Sequence, residues 1–302
     1  GLWEDGLDLL ALLHGSEGLL GLVIEVTVAL RPLPEAVTVL MAGFRDTNAA
    51  ANAVSAVIQA GVLPAGLEMM DRLAIQAAED FVHAGYPLEA EALLLCELDG
   101  SGAEIAALSA AVQGVLQAAG AQSLVEASDA AARARLWLGR KAAFPAVGRI
   151  APDYYCMDGT IPRRHLAEVL AAIADRSAHY GLPVANVFHA GDGNLHPLIL
   201  YDANDSDQFQ RAEAFGADVL AICLRFGGTI TGEHGVGLEK IDQMCIQFTS
   251  LELGVFHAVK AAFDPSGLLN PGKAIPTLNR CAEFGAMHVH KGAQKHPELP
   301  RF

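Results

Sequence analysis

Two histidines flank a glycine-rich turn in the second half of the chain. His189 ends an apolar run that begins at Pro183, and a second apolar run, from Leu195 to Tyr201, carries His196. Two such runs around Ala-Gly-Asp-Gly-Asn predict a β-hairpin. We expect the imidazoles to lie opposite one another near the closed end, where facing Cβ atoms are about 4.5–5.5 Å apart. That spacing allows both rings to bind one metal ion, but two hydrogen-bonded histidines at a sheet margin are the alternative.

A second glycine-rich stretch supplies a third ligand. Glu233 and His234 follow an apolar strand and lie between Gly232 and Gly235. On a regular strand the side chains of Glu233 and His234 would point to opposite faces. A common site therefore requires the backbone to depart from strand geometry, which the neighbouring glycines permit. Two imidazoles and one carboxylate form an open site that suits Zn²⁺, Mn²⁺ or Fe²⁺. We interpret His234 as a base beside the metal, although a fourth ligand, or a turn in which Glu233 only caps the backbone, also fits.

Three cations are candidates for binding an anionic substrate. Arg140 and Lys141 follow Trp137 on a predicted helix that Pro145 should end, and Arg149 lies just beyond it. A guanidinium there could hold a carboxylate through two parallel hydrogen bonds. The alternative is a cation that complements the helix C-terminus.

Composition limits the class of protein. With 20 basic and 35 acidic residues the net charge is −15, which argues against nucleic acid or an anionic membrane as the main partner. We expect no signal peptide and no direct membrane span, since Glu25 interrupts the most apolar run. The five cysteines are scattered without close pairs, which favours free thiols in the cytoplasm and excludes an iron–sulfur cluster made by this chain alone.

The elements that position these residues alternate along the chain. Two successive strand-helix-strand rounds predict an α+β fold of duplicated ferredoxin-like units that share one antiparallel sheet, with helices packed on it. The predicted strands are 26–30, 37–44, 92–98, 154–159, the two hairpin strands and 229–231. The predicted helices are 47–60, 67–83, 103–119, 129–143, 163–180, 207–226 and 251–263.

Several long motifs resemble a known family. They match the FAD-linked oxidases related to vanillyl-alcohol oxidase, in the branch that oxidises D-lactate, glycolate and 2-hydroxyglutarate, and within it the FAD subunits of bacterial glycolate oxidases. The motifs are Phe188-His-Ala-Gly-Asp-Gly-Asn-Leu-His196, Gly228-Thr-Ile-Thr-Gly-Glu-His-Gly-Val-Gly237, Phe263-Asp-Pro-Ser-Gly-Leu-Leu-Asn-Pro-Gly-Lys273 and the stretch from Gly139 to Arg149.

The resemblance implies roles for individual residues. His189, His196 and Glu233 would hold a divalent metal, His234 would be the catalytic base, and Arg140 would bind the substrate's C1 carboxylate. The residues implied near FAD are Ser16, Gly18, Gly21, Asn270 and Lys273.

The resemblance also implies an organisation and an activity. Residues 1–34 would be the C-terminal remnant of the FAD-binding lobe, 35–245 the substrate domain with the metal site, and 246–302 a helix and tail that return to the flavin side. We expect most of the FAD-binding lobe to be missing, so the fragment should be inactive alone.

The implied reaction is oxidation of glycolate to glyoxylate. Phe144, Cys156 and Leu198 stand where relatives that act on diacids carry polar groups, which favours a short substrate. Electrons would pass to other glycolate oxidase subunits, including an iron–sulfur protein, and then to quinone. These partner subunits could hold the cytoplasmic protein at the inner face of the membrane. The alternatives are a D-lactate dehydrogenase, a metal-dependent hydrolase without flavin, and an inactive partner-binding fragment.

Overall fold

A computed structural model describes residues 6–276, which form two compact units. One unit contains residues 31–232, and the other contains residues 6–30 and 233–276. The predicted tail beyond residue 276, part of the stretch 246–302, lies outside the described residues. The assignment of residues 1–34 to a FAD-binding lobe stays a prediction.

The helices, in chain order, are α1 (Leu9–Leu13), α2 (Thr47–Gln59), α3 (Arg72–Val82), α4 (Gly102–Ala118), α5 (Ala130–Val147), α6 (Leu166–Tyr180), α7 (Ser206–Arg225), α8 (Met244–Gln247) and α9 (Ser250–Phe263). The strands are β1 (Ala36–Phe44), β2 (Gly66–Asp71), β3 (Ala92–Gly100), β4 (Ser123–Ala127), β5 (Asp153–Cys156), β6 (Val184–Phe188) and β7 (Pro197–Tyr201). Helices α1, α8 and α9 belong to the unit of residues 6–30 and 233–276, and all other elements belong to the unit of residues 31–232.

The larger unit is built on a seven-stranded sheet with the order β4-β1-β3-β2-β6-β7-β5, and all its pairs are antiparallel. Strands β1 to β4 with α2 and α4 reproduce the ferredoxin-like order, in which the first and third strands are central. Strands β5 to β7 with α6 and α7 begin a second copy. The predicted duplicated fold with one shared antiparallel sheet is therefore confirmed.

The second copy is less regular than predicted. The stretch 229–231 was expected to be a strand, but in the structure Thr229 forms an isolated bridge to Thr160 and no strand is present at these residues. Gly228 explains the close approach, because a Cβ at that position would lie 1.8 Å from the Thr160 carbonyl oxygen. The prediction of a full strand there was wrong.

Three further boundaries differ from the predictions. The stretch 67–83 is not one helix, because β2 occupies its first part and α3 begins only after Asp71, whose carboxylate accepts the Ala74 N–H at 3.0 Å. Helix α5 continues past Pro145 to Val147, although proline has no N–H to donate to the preceding turn. Residues 26–30 form no strand and are largely exposed.

The main core lies between one face of the sheet and helices α3 and α5. Its members include Val39, Met70, Ile75, Leu95 and Val187, each at most 1% exposed. Within residues 6–276, no helix has both the length and the apolar character needed to cross a membrane. Cys96, Cys156 and Cys223 are reduced, as predicted, whereas Cys245 is in a disulfide, contrary to prediction.

Candidate active site

The histidine hairpin forms as predicted, with one change of register. Strands β6 and β7 pair antiparallel, and His189 pairs with Asn194 through an isolated bridge. His196 is therefore the diagonal neighbour of His189, two residues from the facing position, and not its direct partner as expected. Diagonal neighbours remain within reach of ring side chains. The two ring centroids are 5.3 Å apart with the planes at 81°, so the structure brings the imidazoles together.

The turn of the hairpin depends on one glycine. Gly193 has a φ of +72°, and a Cβ there would lie 2.2 Å from the Ile161 carbonyl oxygen. The Ile161 N–H donates to the Gly193 carbonyl at 2.8 Å. A side chain at this position would separate these two backbone segments and move the turn that holds both histidines.

A buried glutamate that sequence reasoning missed lies against His189. In the pairing of β2 with β6, Met69 faces Phe188, so the next residues out along the two strands are Glu68 and His189. Glu68 Oε1 is 2.7 Å from His189 Nδ1. An ionised carboxylate can only accept a hydrogen bond, so Nδ1 carries the proton and Nε2 has the lone pair that a metal would use.

The same carboxylate binds Arg140. On α5, Arg140 Nε donates to Glu68 Oε2 at 3.0 Å, and Arg140 Nη2 forms an ion pair with the same oxygen at 2.9 Å. Arg140 is 8% exposed and Glu68 is 7% exposed. The guanidinium has five N–H groups, and Glu68 contacts the edge formed by Nε and Nη2.

The environment of His196 is buried and mixed in polarity. His196 Nε2 lies 3.6 Å from Asp158 Oδ1 and 3.4 Å from Asn194 Nδ2. Asp158 is completely buried, and its Oδ2 accepts hydrogen bonds from Thr231 Oγ1 at 2.7 Å and from the Gly232 N–H at 3.0 Å. A Cβ on Gly232 would lie 2.3 Å from Asn194 Oδ1, so this position admits only glycine.

The three apolar residues predicted to limit substrate length lie in the same unit as His196. Cys156 and Leu198 are partners in the pairing of β5 with β7, and Leu198 is fully buried. The Phe144 ring contacts the His196 ring edge to face, with centroids 6.2 Å apart.

A cleft of about 250 Å³ opens beside Glu68 and His189. Its polar lining includes Arg163 and Asp192, and Arg163 Nη1 donates to the Gly191 carbonyl at 2.7 Å. His189, Gly191 and Asp192 line this cleft, so it lies along one edge of the histidine hairpin.

Glu233 and His234 belong to the unit of residues 6–30 and 233–276. Their side chains are 50% and 46% exposed, and His234 Nε2 is 3.7 Å from Glu233 Oε1. The backbone after them departs from regular strand geometry, as predicted. Gly235 and Gly237 have φ angles of +85° and +54°.

Glu17, also missed by sequence reasoning, fixes that broken backbone. Its carboxylate accepts the N–H groups of Val236 at 2.7 Å and Gly237 at 2.8 Å. It thereby links the stretch that follows His234 to the glycine-rich loop near residue 17. An acidic residue inside a glycine-rich loop was the available signal.

The residues implied near FAD lie in this same unit. Asn270 donates from its side-chain amide to the Glu17 carbonyl at 2.6 Å, and the Leu19 N–H donates to the Ser16 carbonyl at 2.8 Å. Gly18 has a φ of +72°, and a Cβ on Gly21 would meet open space. The Lys273 carbonyl accepts the Ile275 N–H at 2.6 Å. Ser16, Gly18 and Asn270 thus come together around Glu17.

Comparisons with known proteins agree with this architecture. Residues 33–274 match the family model described as FAD linked oxidases, C-terminal domain. The chain is 61% identical to the glycolate oxidase subunit GlcD of Escherichia coli (strain K12), over 98% of this chain and 60% of that protein. It is 32% identical to a probable mitochondrial D-lactate dehydrogenase of Danio rerio, over 89% of this chain and 54% of that protein.

Among solved structures, p-cresol methylhydroxylase with substrate bound has a similar fold. The TM-score is 0.63 at 16% identity, over 82% of this chain and 54% of that chain. The chain spans 60% or less of the length of these three proteins.

Proposed function

The chain belongs to the FAD linked oxidases as their C-terminal domain, and on that premise we propose that it serves the flavin-dependent oxidation of a short 2-hydroxy acid, glycolate to glyoxylate. The observation that carries the proposal is the buried Arg140 guanidinium, which Glu68 connects to the histidine hairpin. A guanidinium and an imidazole therefore contact the same carboxylate, which supports the proposed roles of Arg140 in binding an anion and of His189 in binding a metal. The similarity to glycolate oxidase subunits supports glycolate as the acid.

The donor set fits a divalent metal. His189 and His196 present two imidazoles at 5.3 Å between centroids, and the Glu68 carboxylate fixes the tautomer of His189 as outer carboxylates do for zinc-bound histidines. Glu233 is the proposed third ligand, because two imidazoles and one carboxylate are a common ligand set for these metals. A Zn²⁺, Mn²⁺ or Fe²⁺ ion held by these residues would lower the pKa of a bound hydroxyl group.

The chain's own residues orient the acid and move its proton. Arg140 would bind the C1 carboxylate through the N–H groups of Nη1 and Nη2 that Glu68 does not use, a bidentate geometry that suits planar carboxylates. The His234 imidazole, about half exposed and next to the proposed ligand Glu233, would accept the hydroxyl proton. Phe144, Cys156 and Leu198 would restrict the group attached to C2 to a hydrogen atom or a methyl group.

The loop around Glu17 fits the edge of a cofactor. Gly18 and Gly21 leave room where side chains would project, and Asn270 holds the loop through the Glu17 carbonyl. We assign Ser16, Gly18, Gly21, Asn270 and Lys273 to the flavin side, with residues 1–34 as the end of the FAD-binding lobe. FAD, when bound, accepts the two electrons that the substrate loses.

Partners complete the proposed path of electrons. The cysteines are too widely spaced to bind a cluster within this chain. Other glycolate oxidase subunits, including an iron–sulfur protein, would carry the electrons to quinone at the cytoplasmic face of a membrane.

Anaerobic mixing of glycolate with an enzyme that contains both this chain and a complete, FAD-loaded FAD-binding lobe, called the flavin-loaded protein below, tests the proposal. We expect glycolate to bleach the flavin absorbance, and acetate, which lacks the hydroxyl group, to leave it unchanged. D-lactate is the second candidate, because a D-lactate dehydrogenase is among the relatives. A larger kcat/KM for D-lactate than for glycolate would reassign the substrate, and bleaching by neither acid would refute the proposed oxidation in favour of flavin-free hydrolysis or partner binding.

A further inference from the structure

Glu68 is an acidic side chain buried in a sheet, a position where acidic residues are rarely found unless they are paired. It lies in the middle of β2, between β3 and β6, with the buried Leu67 and Met69 on either side along the strand. Burying a carboxylate is unfavourable unless the group is both paired and hydrogen-bonded.

The two oxygens of Glu68 have separate partners. Oε1 accepts from His189 Nδ1 at 2.7 Å, and Oε2 accepts from Arg140 Nε at 3.0 Å and forms an ion pair with Arg140 Nη2 at 2.9 Å. Three nitrogen atoms on two residues therefore converge on one group. Arg140 supplies a positive charge against Oε2, and the carboxylate is the acceptor for the hydrogen bond from His189 Nδ1.

This division has a consequence for each neighbour. The hydrogen bond to Nδ1 fixes the tautomer and the ring orientation of His189, so that Nε2 keeps its lone pair. The contact along the Nε–Nη2 edge fixes the plane of the Arg140 guanidinium and reserves the other edge for a second carboxylate. Movement of Glu68 would change both at once.

We infer that Glu68 is a positioning residue that orients the metal-binding imidazole of His189 and the carboxylate-binding guanidinium of Arg140 together, and so couples metal affinity to substrate affinity. This inference rests on the proposed function, because it needs His189 as a metal ligand and Arg140 as the group that binds the acid.

The first variant is Glu68→Gln in the flavin-loaded protein. Glutamine has nearly the same shape, but its amide nitrogen is a donor, so one of the two neighbours must face a donor instead of an acceptor. Calorimetric titration with Zn²⁺ should give a Kd about 10- to 100-fold higher than that of the wild type.

Oxalate is the probe for the carboxylate site, because it has no C–H bond to lose and is not oxidised by hydride removal. We expect the oxalate Kd of Glu68→Gln to rise about 10-fold. The rise should persist at saturating Zn²⁺, since filling the metal site does not restore the orientation of Arg140. A residue that acts on the metal alone would lose its effect on oxalate under these conditions.

Glu97→Gln is the matched control. Glu97 lies on the neighbouring strand β3, and its carboxylate accepts the Trp137 Nε1–H at 2.6 Å. Glutamine can accept the same bond through its carbonyl oxygen. Both Kd values should stay within about twofold of the wild type.

Arg140→Lys provides a second test that does not alter Glu68. An ammonium group cannot donate to Oε2 from two nitrogens in a fixed plane. We expect the Zn²⁺ Kd to rise several-fold, although Arg140 is not a proposed ligand. This result is decisive if Glu68→Gln fails to fold, which circular dichroism and thermal unfolding would reveal.

The outcomes separate the inference from the proposed function. Wild-type affinity for either probe in Glu68→Gln, or an unchanged Zn²⁺ Kd in Arg140→Lys, would overturn the shared positioning role while the wild type still binds metal and oxalate. If the wild type itself binds neither probe, the proposed function fails first and the inference fails with it.

Discussion

The ring of Phe144 meets the ring of His196 edge to face, with centroids 6.2 Å apart and planes at 72°. Phe144 lies four residues after Arg140 on α5, so both side chains project from one face of that helix. Arg140, which is proposed to bind the substrate carboxylate, and the large apolar ring of Phe144 are therefore neighbours. This relationship supports a site that accepts an acid with a short C2 substituent.

Phe144→Ala should widen the range of acids that are oxidised. Removing the ring opens space beside His196, so the ratio of kcat/KM for 2-hydroxybutyrate to that for glycolate should rise about 10-fold. Steady-state rates with an artificial electron acceptor measure this ratio. Phe209→Ala is the control, because Phe209 packs on Tyr201 outside the site. An unchanged ratio in Phe144→Ala would show that Phe144 does not limit substrate size.

Gly235→Ala should weaken the segment that follows His234. Gly235 has a φ of +85°, and a Cβ would lie 2.8 Å from the carboxyl carbon of Glu17. We expect a loss of about 1–2 kcal/mol in unfolding free energy, measured by urea titration, together with a fall in glycolate oxidation.

Gly254→Ala is the matched control for that variant. Gly254 lies inside α9, in the same unit, and a Cβ there meets no atom within 4 Å. Alanine should leave activity unchanged and should stabilise the helix by about 0.5–1 kcal/mol. If Gly235→Ala behaved in the same way, the strained loop would have no role in holding His234.

Asp71 should make stability depend on pH. Burial raises the pKa of its carboxyl from 3.8 to about 6, despite hydrogen bonds from Ala74 and Asn186. Because the folded state binds the proton more tightly than the unfolded state, this stabilisation is complete below about pH 4 and is lost as pH rises through about 6. The loss should be roughly 1–3 kcal/mol.

Urea unfolding of the wild type and Asp71→Asn between pH 4 and 8 measures that effect. Asparagine does not titrate, so the difference in unfolding free energy isolates Asp71. The wild type should lose stability relative to the variant between pH 4 and 6 and show a constant difference above about pH 7. A constant difference over the whole range would mean that Asp71 titrates normally.

The hairpin and its histidines were predictable because local signals determine them. Two apolar runs and a glycine-rich turn are enough to bring His189 and His196 within 5.3 Å. The exact pairing was not predictable, since the bridge from His189 to Asn194 depends on how Gly193 packs against Ile161. The duplicated sheet was also predictable from the alternation of strands and helices.

Glu68 was missed because its strand was read as a helix. The stretch 67–83 is apolar enough for either structure, and in a helix an isolated glutamate would be expected to face solvent. Only the pairing of β2 with both β3 and β6 buries Glu68 and aligns it with His189. Glu17 was missed for a similar reason, since its partners Val236 and Gly237 lie more than 200 residues later in the chain.

The most direct test is to locate metal at the two imidazoles by anomalous diffraction from crystals of the flavin-loaded protein, before and after treatment with a chelator. We predict a peak bound to His189 and His196 that disappears together with flavin reduction by glycolate, and that returns when Zn²⁺ or Mn²⁺ is added back. Full flavin reduction by glycolate with no peak at these histidines would contradict the proposed metal site.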